Sequence, residues 1–553
     1  MDTARRTPRA FTSQGRGVPL LALALAASTA VSMLSPAAAA STRSVALIDV
    51  VVTSATHSIA QVAEAVRAAG GTVRGSLPLV GGVSAQLPAD AVLAPAFLTA
   101  ENAPITLAGK KVASTTRDAT AIREALGLGA PAGEGAGVRI AIVDSGVAQS
   151  TDFGTRLSHH DVSGTWSEGE SRDAYGHGTF VAGAAAGDGT ASDGRYAGAA
   201  PGAEVLDIRV TDDEGATDLV TVLRGLEKAA QLDADVVNLS MSSGSQLPYQ
   251  MDPLTVALSR LWARGIVVVV PAGNDGPHKA SITSPGVDPR LLTVGSLDER
   301  LTAETGDDVV APFSGRGPAP QGVAKPDLVA PGQSLVSLRA TGSAVDVANP
   351  GAVVDGAYFR GSGTSFSTSV VAGVAAMLLE QRPELTPDQV KTLVTGTTYA
   401  AAGLADSRDA GAGGLDVTAA LAAATPVLAD ADADAPPAGD VETWHAFLQA
   451  LMDGDRAAAA KSWSQLSPAA HRWAAHRWAG LSPQAHRWAA DEWSAHRWAG
   501  ADGSAGEWQL RIWAAHRWAA HRWATDEFVA HRWAAHRWAA HRWAAHRWAA
   551  HRW

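Results

Sequence analysis

The stretch Arg360-Gly-Ser-Gly-Thr-Ser-Phe-Ser-Thr-Ser-Val-Val-Ala-Gly-Val-Ala-Ala-Met-Leu-Leu379 changes character abruptly along its length. Glycines and hydroxyl residues give way to an apolar run from Val370 to Leu379, which is typical of a tight turn followed by a buried helix. Ser365 lies near this junction, where the positive end of a helix dipole stabilises negative charge. A helix cap and a catalytic nucleophile both fit a serine at this place. The second interpretation requires a base, an orienting carboxylate and an oxyanion donor elsewhere in the chain.

Three other junctions offer such groups. Asp144 ends the apolar run that starts at Val138, and functional groups gather at the carboxyl ends of strands in parallel α/β sheets. His177 is flanked by glycines and precedes a small-residue helix, where a histidine serving only to pack would need both ring nitrogens satisfied. Asn274 follows the strand run 265–270 between Gly273 and Gly276. Taken singly, Asp144 also fits a turn cap and Asn274 a turn asparagine.

Together these groups make a consistent chemistry. His177 would remove the proton of Ser365, and Asp144 would hold the imidazole in the required tautomer. The Asn274 amide and the backbone N–H of Ser365 would donate to the oxyanion. Strand runs at 202–210 and 235–241, separated by a helical stretch at 217–232, predict an α/β fold with a mainly parallel sheet and covering helices.

These segments resemble the signature segments of the subtilisin-like serine proteases (subtilases, the peptidase S8 family) over about residues 115–423. The matching stretches are Asp144-Ser-Gly, His177-Gly-Thr-Phe-Val-Ala-Gly183, Pro271-Ala-Gly-Asn274, Phe313-Ser314, Lys325-Pro-Asp-Leu-Val-Ala-Pro-Gly332 and Gly363-Thr-Ser-Phe-Ser-Thr-Ser-Val-Val-Ala-Gly373.

The resemblance implies a subtilisin-like three-layer domain and a serine-type endopeptidase, with Asp144, His177 and Ser365 catalytic and Asn274 in the oxyanion hole. It implies that a peptide docks as an added strand along residues 237–242. The substrate-binding residues predicted on this basis are Asn238, Leu239, Ser240, Met241 and Gly273. No cofactor is required for the chemistry. Structural calcium is common in the family, but no acidic loop here matches residue by residue, so no metal ligand is assigned.

Four positions depart from the family pattern. Phe180 stands where many relatives have a second histidine, Ser369 replaces a common proline and Val370 a common histidine. None of these three carries a proton transfer. Ser242 stands where a glycine is frequent, and this change is expected to alter the wall of the substrate pocket.

The N-terminal residues have the pattern of an export signal. Arginines precede an apolar run from Val18 to Leu34, and Ala37 to Ala40 offers small residues for cleavage. A membrane anchor is the alternative, but 17 moderately apolar residues are marginal for one. The chain contains no cysteine, so disulfides are excluded although an exported protein could form them. A secreted, extracellular protein is predicted, with association to the cell surface as a variant of that prediction.

Between the signal and the first motif, strand runs at 45–52, 72–77 and 82–87 alternate with a helical stretch at 59–69, and Pro88-Ala-Asp looks like the start of another helix. A small α+β unit fits this order. The resemblance implies that it is an inhibitory prosegment, which would be removed near residues 105–118 to mature the zymogen.

The chain ends in a low-complexity tail. His-Arg-Trp occurs eleven times, mostly in a strict five-residue repeat, and residues 456–553 hold 14 basic against 6 acidic residues in a chain of net charge −11. A period of five places successive tryptophans on no single face of a helix or strand, so a packed core is not expected. Binding to an anionic surface (membrane, cell wall or nucleic acid), a tract without specific role, and a segment that is itself a substrate all stay open.

The predicted organisation is a signal peptide at 1–40, a prosegment at 41–112, a catalytic domain at 113–423, a linker at 424–460 and the flexible repeat tail at 461–553. The predicted function is an exported serine endopeptidase. Its substrates would be proteins or peptides, and its own prosegment would be a partner. The alternative is a surface- or polymer-binding protein in which the tail is the functional part and the protease domain serves processing.

Overall fold

The computed structural model describes residues 46–94, 96–107, 120–128, 134–165, 172–302, 304–428, 438–452, 455–467 and 470. The predicted signal peptide, most of the repeat tail and the predicted cleavage region beyond residue 107 lie outside the described residues. The strands are β1 Leu47–Thr53, β2 Thr72–Leu77, β3 Gly82–Pro88, β4 Leu98–Glu101, β5 Pro104–Leu107, β6 Arg139–Asp144, β7 Leu157–Asp161, β8 Glu204–Arg209, β9 Thr217–Asp218, β10 Val236–Asn238, β11 Met241–Ser243, β12 Val267–Pro271, β13 Leu292–Asp298, β14 Val309–Val310, β15 Leu328–Pro331, β16 Leu335–Leu338, β17 Val353–Val354 and β18 Tyr358–Gly361. The helices are α1 Ile59–Ala68, α2 Ile122–Ala125, α3 His177–Ala186, α4 Leu219–Gln231, α5 Pro253–Ala263, α6 Ala344–Ala348, α7 Thr364–Gln381, α8 Pro387–Gly396, α9 Ser407–Ala410, α10 Val417–Ala422, α11 Val441–Met452 and α12 Arg456–Gln465.

A mainly parallel sheet forms the centre of the domain. Its strand order is β14-β13-β12-β10-β6-β8-β7, with β15 beside β13, and β14 is antiparallel to its neighbour. The central strands are uninterrupted apolar runs, such as Val267 to Val270, and every residue of β12 is buried. Such runs are expected where helices cover both faces of a sheet. The predicted α/β class with a mainly parallel sheet is confirmed.

Helices α3 and α7 pack closely against each other. All ten residues of α3 are buried, as are residues 364–379 of α7, which explains why neither has a polar face. Gly373 permits the close approach, since a Cβ there would lie 2.7 Å from the Ala185 carbonyl oxygen and from the Ala199 Cβ. The sequence predicted an apolar helix from Val370, but α7 begins six residues earlier, at Thr364.

Helix α4 has an amphipathic pattern and packs against α5 and the central sheet. Asp218 caps it by accepting from the Thr221 N–H, and Asp252 caps α5 by accepting from the Leu254 N–H.

The segment before the main domain forms a four-stranded antiparallel sheet of order β2-β3-β1-β4, packed on α1. Ser58 and Gln61 form a capping box at the start of α1. The predicted strands and first helix are observed, but no helix starts at Pro88. There the Ala89 N–H donates to the Ala46 carbonyl, which keeps the chain against the neighbouring segment beyond the end of β3.

A helical hairpin lies within the predicted linker and reaches into the predicted tail. Trp444, Phe447 and Trp463 form its small aromatic core, together with Leu466 and three alanines. The Asp440 carboxylate closes the hairpin by accepting from the N–H and hydroxyl of Ser467. Helices α11 and α12 therefore lie where the sequence predicted a linker and the start of the tail. No helix among the described residues is long and apolar enough to cross a membrane.

Candidate active site

Two of the predicted catalytic groups form a buried pair. Asp144 is the last residue of β6, and His177 is the first residue of α3. The His177 Nδ1 lies 2.8 Å from one Asp144 carboxylate oxygen and 3.0 Å from the other. The Ser145 N–H donates to the first oxygen at 2.8 Å. Asp144 therefore fixes the orientation of the ring, and the buried His177 Nε2 has no hydrogen-bond partner among the described residues.

A second buried carboxylate ties these two junctions together. Asp173 accepts from the Ser145 hydroxyl at 2.9 Å, the Gly176 N–H at 2.7 Å, and both the N–H and the hydroxyl of Thr179, at 2.9 and 2.7 Å. The Ser145 hydroxyl in turn accepts from the Gly178 N–H. The Asp173 carboxylate thus holds the loop after Asp144 against the first turn of α3. Burial raises the pKa of Asp173, although these hydrogen bonds act in the opposite direction.

The electrostatics of the site act on the imidazole. Burial lowers the pKa of His177, but the charge and hydrogen bond of Asp144 and the charge of Asp173 raise it, and the net direction is upward from 6.5. The surroundings therefore favour the imidazolium, which is the form that arises when a histidine accepts a proton from a nucleophile.

Ser365 lies in the first turn of α7 and is fully buried within the chain. The Ser240 hydroxyl donates to the Ser365 carbonyl oxygen at 3.2 Å, which links the start of α7 to the segment between β10 and β11. The predicted junction is therefore the start of a helix whose first backbone N–H groups lack partners within the helix.

Asn274 follows β12 and contacts the same turn of α7. Its Oδ1 accepts from the Thr364 N–H at 2.9 Å and from the Thr364 hydroxyl at 3.0 Å. Both bonds use the amide oxygen, whereas the Nδ2 group of the side chain is the one that can donate to a carbonyl oxygen. Thr364 therefore orients the Asn274 amide beside Ser365.

The predicted substrate-binding residues fall into two groups. Asn238, Leu239, Ser240 and Met241 are all fully buried, and the Asn238 Nδ2 donates to the Ser240 hydroxyl at 3.0 Å. Gly273 lies in the turn before Asn274 with φ +96°, a conformation that favours glycine. The side chains of the first group are buried in the core beneath the 238–241 segment. The backbone of β11 is therefore the part that can hydrogen-bond to a paired peptide.

Another strand of the same chain already pairs with the backbone of β11. β5 lies antiparallel between β11 and β9, with Leu107 opposite Met241, Thr106 opposite Ser242 and Ile105 opposite Ser243. On its other edge, Pro104 pairs with Asp218 and Ile105 with Thr217. The segment that precedes the catalytic motifs therefore fills the place where the sequence predicted an added peptide strand.

The positions that depart from the family pattern line the core beside the imidazole. The Phe180 and Phe366 rings lie 4.0 Å apart between centroids, and the Phe366 ring lies 5.8 Å from that of His177. The Ser369 hydroxyl donates to the Phe366 carbonyl, and Val370 is fully buried. These substitutions leave the Asp144–His177 hydrogen bonds intact.

The described residues contain no group of three or more histidine, aspartate or glutamate side chains that could hold a metal ion.

Two residues of this network were absent from the predicted site. Asp173 lies four residues before the motif that begins at His177, and Thr364 lies inside the motif that begins at Gly363, but nothing in the sequence distinguished them from ordinary turn residues. The feature that could have identified them is a carboxylate or hydroxyl in a segment that is otherwise buried, because buried polar groups need hydrogen-bond partners.

The chain is similar to known proteins in sequence and in fold. A model of the subtilase family matches residues 135–413. Serine protease AprX of Bacillus subtilis (strain 168) is 41% identical over 274 residues, which make up 48% of this chain and 62% of that protein. Subtilisin DY of Bacillus licheniformis is 31% identical over 291 residues, 52% of this chain and 92% of that protein.

The solved structure of fervidolysin from Fervidobacterium pennivorans, a keratinolytic enzyme related to subtilisin, superposes with a TM-score of 0.55 at 24% identity. The match covers 69% of this chain and 62% of that one. It confirms the predicted subtilisin-like fold. The chain thus spans less than two thirds of the length of AprX and of fervidolysin.

Proposed function

The chain belongs to the subtilase family, and from this premise we propose that it is a serine endopeptidase that hydrolyses peptide bonds through an acyl-enzyme intermediate. The observation that carries the proposal is the buried Asp144–His177 pair with a free Nε2, in a domain where Ser365 starts a helix beside Asn274. A fluorophosphonate probe should label the processed protein. Absence of labelling in a folded, processed sample would contradict the proposal.

In this mechanism His177 Nε2 takes the proton of the Ser365 hydroxyl as the oxygen attacks the scissile carbonyl carbon. Asp144 stabilises the imidazolium without taking its proton. The oxyanion receives hydrogen bonds from the Asn274 Nδ2 and from the Ser365 backbone N–H. His177 then returns the proton to the leaving amine, and water repeats the sequence on the acyl-enzyme.

We expect the activity to fall on the acid side of a pKa above 6.5. Only neutral His177 can accept the proton of Ser365, and Asp144 and Asp173 raise the pKa of His177. As the pH falls through that raised pKa, the imidazole becomes protonated and kcat/KM decreases about tenfold per pH unit. A profile of kcat/KM against pH for the processed protein measures this limb. An acid limb centred below 6.5 would contradict the expectation.

The segment 41–112 is proposed to be an inhibitory prosegment whose removal matures the enzyme. Support comes from β5, which pairs with both β9 and β11. Arg260 also donates to the Leu79 carbonyl at 2.8 Å, and Asn102 donates to Asp218 at 3.0 Å. While β5 occupies this position, another peptide cannot pair with β11, so cleavage beyond Leu107 is expected to precede activity toward other substrates.

The proposed substrates are proteins or peptides in extended conformation, and the proposed location is outside the cell. The apolar run from Val18 to Leu34 and the small residues before Ser41 support removal of residues 1–40 on export. The rival proposal, a binding protein in which the protease serves only for processing, has less support because the family match covers the protease region.

For the tail we propose binding to an anionic surface through its arginines and tryptophans. Deletion of 471–553 keeps every described core residue of the helical hairpin, the last of which is Ala470. We expect the deletion to reduce sedimentation with phosphatidylglycerol vesicles at least tenfold. A variant with glutamine in place of arginine in the eleven His-Arg-Trp motifs keeps every tryptophan and should lose most of the same binding. Unchanged sedimentation of both variants would exclude this role.

A further inference from the structure

Strand β5 lies in the cleft between β9 and β11 as a bound peptide would, and the three of its residues that pair with β11 differ in environment. Ile105 is 3% exposed because it lies between Ser243 of β11 and Thr217 of β9. Thr106 is exposed, with its hydroxyl donating to the Ser242 carbonyl at 3.1 Å. Leu107 is half-buried opposite Met241. The cleft therefore encloses an apolar side chain at the first position, leaves the second in solvent and partly covers the third.

The register of this pairing fixes where the next residue of a bound peptide falls. In an antiparallel pair, one step beyond Leu107 is opposite one step before Met241, which is Ser240. The Ser240 hydroxyl donates a hydrogen bond to the Ser365 carbonyl. A peptide bound in the register of β5 thus brings its fourth residue, and the carbonyl of that residue, to Ser365.

Thr283 lies between β11 and the turn that leads to Asn274. Its hydroxyl donates to the Ser242 hydroxyl at 3.0 Å, and its N–H donates to the Ala272 carbonyl at 3.3 Å. A Cβ on Gly273 would lie only 2.7 Å from the Thr283 hydroxyl oxygen. Thr283 therefore bridges β11 and this turn, next to the strand with which a bound peptide would pair.

The neighbouring backbone holds this bridge in place. The Ser243 N–H donates to the Ser284 carbonyl at 2.8 Å, and the Ser284 hydroxyl donates to the buried Asp252 carboxylate at 2.7 Å. The segment that carries Thr283 is thus attached to β11 on one side and to the start of α5 on the other. The backbone of this segment cannot move away from β11 without breaking these bonds.

We propose that Thr283 restricts the residue that supplies the scissile carbonyl to a small side chain, and that the cleft selects the pattern apolar-any-apolar-small. This rests on the proposed proteolytic function and adds its substrate class. The residue that follows Leu107 in the sequence is Ala108, so the chain's own Ile105-Thr106-Leu107-Ala108 fits the pattern.

The test uses two fluorogenic tetrapeptides, Ile-Thr-Leu-Ala and Ile-Thr-Leu-Phe. The enzyme is the protein after removal of the prosegment, with its C-terminal tail retained. Wild type should hydrolyse the alanine peptide with a kcat/KM at least tenfold higher. T283G should raise kcat/KM for the phenylalanine peptide at least tenfold relative to kcat/KM for the alanine peptide in the same variant. T283S keeps the hydroxyl and should retain the wild-type preference, which controls for disturbance of the fold. Replacing the first residue by Glu should lower kcat/KM at least tenfold in every variant.

Equal hydrolysis of the two peptides by wild type, or an unchanged ratio in T283G, would overturn the proposal while leaving proteolysis intact. The affinity for the same tetrapeptides with free carboxylates can be measured without turnover, from their ability to displace a dye-labelled copy. Preferential binding of the alanine peptide without hydrolysis of any peptide would refute the proposed function and support the pocket. Equal binding would refute the pocket.

Discussion

Ser365→Ala is expected to reduce peptidase turnover by about 10⁶-fold, the size of the loss known for removal of the nucleophile in subtilisin itself. The reason is that the Ser365 hydroxyl is the group that forms the acyl-enzyme in the proposed mechanism. The Thr364 hydroxyl is already donated to Asn274, and the Thr368 hydroxyl to the Thr364 carbonyl. Residual hydrolysis would come only from the oxyanion donors and substrate binding.

The same variant should also stop maturation. Wild type is expected to yield a new N-terminus beyond Leu107, whereas S365A should retain the prosegment, and N-terminal sequencing of the purified proteins distinguishes the two. Ser367→Ala is the matched control, since this buried hydroxyl lies in the same helix and has no partner among the described residues. S367A should process and turn over like wild type. Full processing of S365A in the absence of wild type would show that the nucleophile lies elsewhere.

Asp144→Asn is expected to reduce kcat by about 10⁴-fold with little change in KM. The asparagine oxygen can still accept from the Ser145 N–H, which leaves its NH₂ facing His177 Nδ1. An NH₂ donor there requires an unprotonated Nδ1, so the proton moves to Nε2 and the ring can no longer accept a proton from Ser365.

Steady-state kinetics on processed protein measure this effect, and the unfolding temperature should stay close to that of wild type because the shape of the side chain is conserved. Asp161→Asn is the matched control. Asp161 also ends a strand of the central sheet, but its carboxylate accepts from Ser163 and not from His177. A loss of less than tenfold in D144N would exclude the proposed role of Asp144 in orienting the ring.

Local sequence located most of the elements because the type of an element depends on neighbouring residues. Apolar runs that end in Asp144 or in the turn before Asn274 are strands, and glycine-flanked junctions precede the buried helices. The start of α7 was misplaced because its first residues are hydroxyl-bearing and favour turns in isolation. In the structure, the Thr368 and Ser369 hydroxyls donate to carbonyls of the preceding turn, so they fit a buried helix.

By itself, the sequence determined the α/β class, the family, and the set Asp144, His177, Ser365 and Asn274, whose catalytic roles stay predictions that the variants test. These features are written in short motifs in which strand ends and helix starts lie within a few residues of the polar group.

Only the tertiary structure decided which distant groups meet. β5 lies between β9 and β11, Asp173 joins the Ser145 loop to α3, and Thr283 reaches Ser242 from 41 positions away. Contacts of this kind depend on the register and packing of whole strands, which alternation of apolar and polar residues leaves open because many pairings bury the same apolar surface. The proposed chemistry of this protein can therefore be predicted from its motifs. The shape of its cleft depends on how the sheet and loops pack around those motifs.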